Sequence, residues 1–78
     1  MLRVTQVKYI DSYSLGIWFD DGTNGVIDLH DHLNGPMFEP LKDVDFFKQV
    51  FIDPELDTIT WPNGVDLAPE FLKENMHK

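Results

Sequence analysis

Polar and apolar residues alternate over the first third of the chain. β-branched and aromatic residues dominate positions 2–10, and further on every second position is apolar: Tyr13, Leu15, Ile17 and Phe19. A period of two is typical of strands with one face buried against a core. The pattern predicts two strands joined at Asp11 and Ser12.

A hairpin turn is predicted directly after the second strand. Asp20, Asp21 and Gly22 suit a tight turn, because Asp tolerates left-handed backbone angles and Gly adopts them without steric cost. A third strand over residues 24–29 would complete an antiparallel meander. Trp18 falls on the face opposite Leu15, so it is either covered by another element or exposed as a contact surface.

The alternation stops after Leu29. A Gly-Pro pair at positions 35–36 and a second proline at position 40 predict a loop with one short helical turn. Asp43 is placed to cap a helix over residues 43–50. Its apolar stripe would cover one face of the sheet, and consists of Phe46, Phe47, Val50 and Phe51.

The C-terminal third predicts a strand, a turn and a short helix. Residues 58–61 are rich in strand formers, and Pro62, Asn63 and Gly64 favour a turn that returns the chain over residues 65–67. Pro69 suits the first position of a helix over residues 70–75. The fold class is therefore α+β. We expect one small domain over residues 1–78, with an antiparallel meander, a C-terminal hairpin, one covering helix and a short C-terminal helix.

Composition narrows the classes of function. The 78 residues include 14 acidic and six basic side chains, for a net charge of −8. The basic residues stand singly along the chain, which argues against direct binding of nucleic-acid phosphates. The chain has no cysteine, no run of ~20 apolar residues and no signal-type hydrophobic block. We therefore expect a cytoplasmic protein without membrane contact, disulfides or zinc-thiolate sites.

The most specific sequence feature is the run WPNGVDLAPEFL at positions 61–72. Its characteristic residues are Trp61, Pro62, Asn63, Gly64, Asp66, Leu67, Pro69, Glu70 and Leu72. On these residues the chain resembles the small bacterial family known as domain of unknown function 2442. The resemblance implies a compact α+β domain that is often encoded beside a small toxin-like protein and is suspected to act as an antitoxin. It supplies no catalytic residues.

A second candidate site lies after the third strand. If the chain stays extended there, His30 and His32 point the same way and offer two imidazoles to a divalent metal, with Asp28 as a third ligand. The alternative interpretation is a polar loop in which Asp31 caps a helical turn. Spacing alone does not decide between them, and no cofactor is predicted.

The sequence favours a non-enzymatic interaction module over an enzyme, because no nucleophile or phosphate-binding loop can be identified. Trp18 is the candidate contact residue, with Asp20 and Asp21 as acidic neighbours. The expected partner is a small basic protein of the toxin type, or a second copy joined through an edge strand. A metal- or ligand-binding domain that uses His30 and His32 is the alternative.

Overall fold

Two antiparallel sheets and two short helices make up the fold, as seen in a computed structural model that describes residues 1–76. The elements in chain order are β1 (Val4–Asp11), β2 (Ser14–Phe19), β3 (Asn24–Asp28), 3-10 turns at His30–His32 and Glu39–Lys42, α1 (Val44–Phe47), β4 (Phe51–Asp53), β5 (Thr58–Thr60) and α2 (Pro69–Glu74). The predicted α+β class is confirmed. His77, the third histidine of the sequence, lies outside the described residues.

The first three strands form the predicted meander, in the order β1-β2-β3. β1 pairs with β2 so that Tyr9 lies opposite Leu15, and β2 pairs with β3 so that Leu15 lies opposite Ile27. This register brings the alternating apolar residues of all three strands to one face. Ser12 turns the chain between β1 and β2 with a positive φ of 42°.

The turn between β2 and β3 is built by Asp21. Its carboxylate accepts hydrogen bonds from the backbone N–H of Thr23 at 3.0 Å and from the Thr23 hydroxyl at 2.6 Å. Gly22 has a φ of 87°, a conformation that residues with a Cβ rarely adopt. The turn therefore forms where the sequence predicts it. Gly22 has the predicted left-handed conformation, whereas Asp20 and Asp21 do not, and Asp21 contributes through its carboxylate hydrogen bonds instead.

Helix α1 begins as predicted, since the Asp43 side chain accepts the N–H of Asp45 at 3.0 Å. It ends at Phe47, and the predicted extension to Val50 is wrong. Phe51 belongs instead to β4, which pairs with β5, and it is 46% exposed. Aromatic and β-branched residues lose side-chain freedom in a helix, and here a strand partner is available to them.

The chain turns back after β5, as predicted, but the return strand is reduced to one bridge between Thr60 and Asp66. Trp61 and Gly64 close the turn through the Gly64 N–H, which donates to the Trp61 carbonyl at 2.9 Å. The Thr60 hydroxyl donates to the Val65 carbonyl at 2.7 Å. A side-chain hydrogen bond thus supplies part of the contact between the two arms.

The core lies between the inner face of the meander and the C-terminal half of the chain. Its buried apolar residues are Val4, Leu15, Ile17, Phe19, Ile27, Leu29, Leu33, Leu41, Phe47, Ile59, Trp61, Val65 and Leu72. Phe47 contacts three aromatic rings, with centroid distances of 5.4 Å to Tyr13, 5.7 Å to Trp61 and 6.1 Å to Tyr9. The three-stranded sheet, α1 and the turn after β5 therefore meet at one aromatic cluster.

Trp61 also makes a buried hydrogen bond. Its indole N–H donates to the backbone carbonyl of Phe47 at 2.9 Å. A buried indole N–H needs such a partner, because its loss of contact with water is otherwise uncompensated. This bond fixes the position of the 61–64 turn relative to the end of α1.

Neither helix within residues 1–76 has the length and apolar composition that a membrane-crossing segment needs.

We expect Trp61→Phe to lower the free energy of unfolding by about 2 kcal/mol, because it removes this hydrogen bond and leaves a cavity. Trp18→Phe is the matched control, since the Trp18 indole N–H donates no hydrogen bond among the described residues. Urea unfolding at neutral pH measures both variants. Equal losses in the two variants would contradict the structural role of the Trp61 bond.

Candidate functional site

The outer face of the three-stranded sheet carries an apolar surface concavity. We call it the outer groove, and it has a volume of about 580 Å³. Its lining residues are Lys8, Tyr9, Ile10, Gly16, Trp18, Asn24, Gly25 and Val26. Six of these eight residues, all except Tyr9 and Gly25, are at even-numbered positions, on the side of the sheet that faces away from Leu15, Ile17 and Ile27 in the core.

Trp18 contributes the largest side chain to the outer groove. It is half-buried, and its ring packs against Gly16: a Cβ at Gly16 would stand 3.2 Å from the Trp18 ring atom Cζ3. The register places Val26 opposite Gly16, and Val26 is 40% exposed. Ile10 Cδ1 would stand 3.7 Å from the same Cβ, and Ile10 is 45% exposed. The absent side chain at Gly16 thus leaves room for the Trp18 ring beside Ile10.

Asp20 and Asp21 do not line the outer groove. They follow β2 in the turn to β3, and each is engaged within the chain. Asp20 accepts the backbone N–H of Arg3 at 3.0 Å. Asp21 accepts hydrogen bonds from Thr23 and forms an ion pair with Lys73 of α2. The predicted acidic neighbours of Trp18 therefore have structural partners, although their carboxylates remain on the surface.

The environment of Asp21 changes its acidity. The hydrogen bond from the Lys73 ammonium, together with those from Thr23, holds the pKa of the Asp21 carboxyl far below its ordinary value of 3.8. Asp21 is therefore a permanent anion at physiological pH. The same ion pair links α2 to the turn between β2 and β3.

The chain around His30 and His32 is a 3-10 turn and is not extended. The two rings consequently contact different neighbours. His30 lies 5.7 Å from the Tyr13 ring and its Nδ1 is 3.0 Å from the Asp31 carboxylate. His32 packs edge-on against Phe71, with a centroid distance of 5.2 Å.

The predicted cap by Asp31 is not formed, and Leu29 occupies the N-cap position of this turn. The Asp28 carboxylate accepts the backbone N–H of His30 at 2.9 Å, while no side-chain hydrogen bond from Asp31 caps the turn. His30 lines one surface hollow of about 500 Å³, and His32 lines another of about 400 Å³ together with Asp28. Within residues 1–76, no three His, Cys, Asp or Glu side chains come together as a metal site would require.

The residues of the 61–72 run hold the C-terminal turn in place. Asn63 donates from its amide nitrogen to the Met37 carbonyl at 3.0 Å and accepts the N–H of Val65 at 3.3 Å. Gly64 has a φ of 88° and Pro69 is the first residue of α2. Pro62 and Asp66 are exposed, and Asp66 contributes only its backbone to the bridge with β5.

Comparison with known families gives a match over residues 4–78, to the family described as "Protein of unknown function (DUF2442)". This chain belongs to the DUF2442 family. The comparisons with curated proteins and with solved structures return no significant match. Membership of the DUF2442 family therefore establishes the kind of domain and assigns no functional residue to it.

The outer groove contains residues that sequence reasoning did not select. Ile10, Gly16 and Val26 share the face of Trp18, and their even-numbered positions in three paired strands carry that information. Alternation within one strand gives the face of each residue, but only the register between strands shows which residues are neighbours. The sequence therefore singled out Trp18, which lines the groove, and missed Ile10, Gly16 and Val26 beside it.

The geometry around His30 and His32 leads to a prediction for metals. Because the two rings line separate hollows, we expect Zn²⁺ or Ni²⁺ to leave the melting temperature unchanged in the wild type and in the double variant His30→Ala/His32→Ala. Differential scanning fluorimetry with and without EDTA measures this. A metal-dependent rise in the wild type that the double variant loses would restore the metal-binding interpretation.

The ion pair of Asp21 leads to a prediction for pH. A carboxyl with a depressed pKa in the folded state stabilises the fold above its ordinary value of 3.8, and this contribution is lost as the pH falls below that value. We therefore expect Asp21→Asn to lower the melting temperature at neutral pH, and the difference from wild type to shrink on acidification to about pH 2. Asp66→Asn is the control, because within the described part of the chain its side chain has no ion pair. A difference that stays constant with pH would contradict the ion pair's contribution.

Proposed function

We propose that this protein is a non-enzymatic acidic interaction module that binds a small basic protein through the outer groove, as an antitoxin-like partner would. The single observation that carries the proposal is the position of Trp18. It lies in an apolar groove whose lining residues all come from β1, β2 and β3.

An aromatic residue in this position is suited to bind a protein. Tryptophan is enriched among the few interface residues that supply most of the binding free energy, because it buries a large area at a small cost in side-chain entropy. Trp18 is already held against Gly16, so little further freedom is lost on binding. Ile10 and Val26 extend the apolar surface on either side.

The net charge of −8 favours a basic partner. Charges of one sign over a small surface attract a protein of the opposite sign and speed its association. This attraction is screened over about 10 Å at 0.1 M salt, so binding should weaken as the salt concentration rises. In this proposal the apolar groove supplies affinity, and the net negative charge of the molecule supplies selectivity for a positively charged partner.

An antitoxin role is consistent with an apolar groove on a negatively charged protein. The family resemblance implies that such domains are often encoded beside a small toxin-like protein. Binding that covers the basic surface of such a toxin would neutralise it. Such a role requires no catalytic residue and no cofactor. The protein encoded beside this chain is accordingly the first partner to test.

If the protein encoded beside this chain is basic, we expect the two to copurify after co-expression. We also expect that protein to be toxic when expressed alone, and co-expression of the wild-type chain to restore growth. Trp18→Ala should weaken binding by about 30-fold or more, as for a central interface residue. Isothermal titration calorimetry at low and high salt, with a growth assay alongside, measures both effects.

Phe51→Ala is the matched control for this experiment. Phe51 is another half-exposed aromatic residue, but it lies in β4 and outside the outer groove. Its variant should bind as the wild type does. If the neighbouring protein does not bind, or if both variants bind equally well, the proposed function is wrong.

A further inference from the structure

The two edges of the three-stranded sheet differ. At the β1 edge, the Val4 N–H donates to the Asp57 carbonyl at 2.9 Å, and β1 packs against both β4 and β5. At the β3 edge, the strand packs mainly against β2, on its other side. The sheet therefore has one covered edge and one open edge.

The register identifies the open backbone groups of β3. The Phe19 N–H donates to the Thr23 carbonyl and the Leu29 N–H donates to the Tyr13 carbonyl, both at 2.9 Å. In an antiparallel ladder hydrogen-bonded pairs alternate, so Gly25 and Ile27 also face β2. The residues between them direct their N–H and C=O groups away from the sheet, and these are Asn24, Val26 and Asp28. Within residues 1–76 no backbone group hydrogen-bonds to them from that side.

This open edge adjoins the outer groove. The side chains of Asn24 and Val26 line the groove, so a strand added beside β3 would place every second side chain next to it. The residue opposite Val26 would extend towards the Trp18 ring, which lies over Gly16, the β2 partner of Val26. Backbone hydrogen bonds and apolar contact are thus available on the same side of the molecule.

The C-terminal end of β3 is acidic. Asp28 ends the strand and lines a hollow of about 400 Å³ with two further carboxylates, those of Asp31 and Glu74. Among residues 1–76, no lysine or arginine forms an ion pair with any of these three carboxylates, and the close neighbour of the Asp31 carboxylate is the His30 ring. A lysine or arginine at the matching end of an added strand would face this negative charge.

We infer that the β3 edge binds an extended segment of the basic partner as a fourth strand of the sheet, with an apolar side chain over the outer groove and a basic side chain beside Asp28. The inference rests on the proposed function and specifies how the partner is held. Strand addition of this kind takes its affinity from main-chain hydrogen bonds and its selectivity from alternate side chains.

A second copy of this chain is a weaker occupant of the same edge. Each copy carries a net charge of −8, so that two copies repel each other. Acidic side chains are also a common means of keeping exposed edge strands from pairing with themselves. A basic strand turns the same charges into an attraction.

The test uses a synthetic peptide of alternating lysine and valine, blocked at both ends, and a matched peptide with glutamate in place of lysine. Amide hydrogen exchange followed by NMR is the measurement. In the free protein the amides of Asn24, Val26 and Asp28 should exchange rapidly, and those of Gly25 and Ile27 slowly. At about ten times its Kd, the lysine peptide should slow exchange at the first three amides by about tenfold. The glutamate peptide should have no effect.

Two variants at one position separate the backbone from the side chain. Val26→Pro removes an N–H that faces away from β2, a position where an edge strand tolerates proline, and its ring blocks an incoming strand. Val26→Ala keeps the N–H and shortens the side chain. We expect the proline variant to bind the lysine peptide at least tenfold more weakly than the alanine variant, with both still folded by circular dichroism.

Each alternative outcome has a definite meaning. Protection elsewhere on the surface, equal binding by the two Val26 variants, or no binding of the lysine peptide would overturn strand addition at β3. The co-expression result with the adjacent-encoded protein is independent of the peptide, so the proposed function can stand when strand addition fails. A dimer of the free protein that protects the same three amides would assign the edge to a second copy and also overturn the inference.

Discussion

The buried hydrogen bond between the Trp61 indole and the Phe47 carbonyl is the contact on which the rest of the structure depends. It joins the turn that follows β5 to the end of α1. The Phe47 ring in turn contacts the rings of Tyr9 and Tyr13 in the meander. A chain of 78 residues buries only about 60% of its unfolded surface. With so little core available, one aromatic cluster has to hold both sheets together.

This arrangement explains why the sheet has a bare face. All the elements after β3 gather on the side of Phe47 and Trp61, where Leu41 and Leu72 are also buried. Neither helix within residues 1–76 contributes to the lining of the outer groove, so Trp18 packs against Gly16 and stays half-buried. The apolar outer surface and the open β3 edge both follow from packing a short chain around a single aromatic cluster.

The acidic composition serves the fold as well as the surface. Four aspartates accept a backbone N–H two residues further along the chain and so stabilise turns: Asp21, Asp28, Asp43 and Asp53. Their carboxylates stay at the surface, where they add to the negative charge that a basic partner would meet. Of these four, and counting partners within residues 1–76, only Asp21 forms an ion pair, with Lys73. The acidic residues therefore have one structural use, in turns, and one proposed use, in attracting a basic partner.

The sequence by itself determined the meander, the turn at Asp21 and the face of Trp18, because side-chain alternation and turn chemistry act over a few neighbouring residues. Only the tertiary structure decided that α1 stops at Phe47 and that β4 follows, because the competition between helix and strand there depends on β5 as a partner. It also decided that the His30 and His32 rings separate, since Tyr13 and Phe71 come from distant segments. The walls of the outer groove and the open β3 edge likewise depend on strand register, which local patterns leave undetermined.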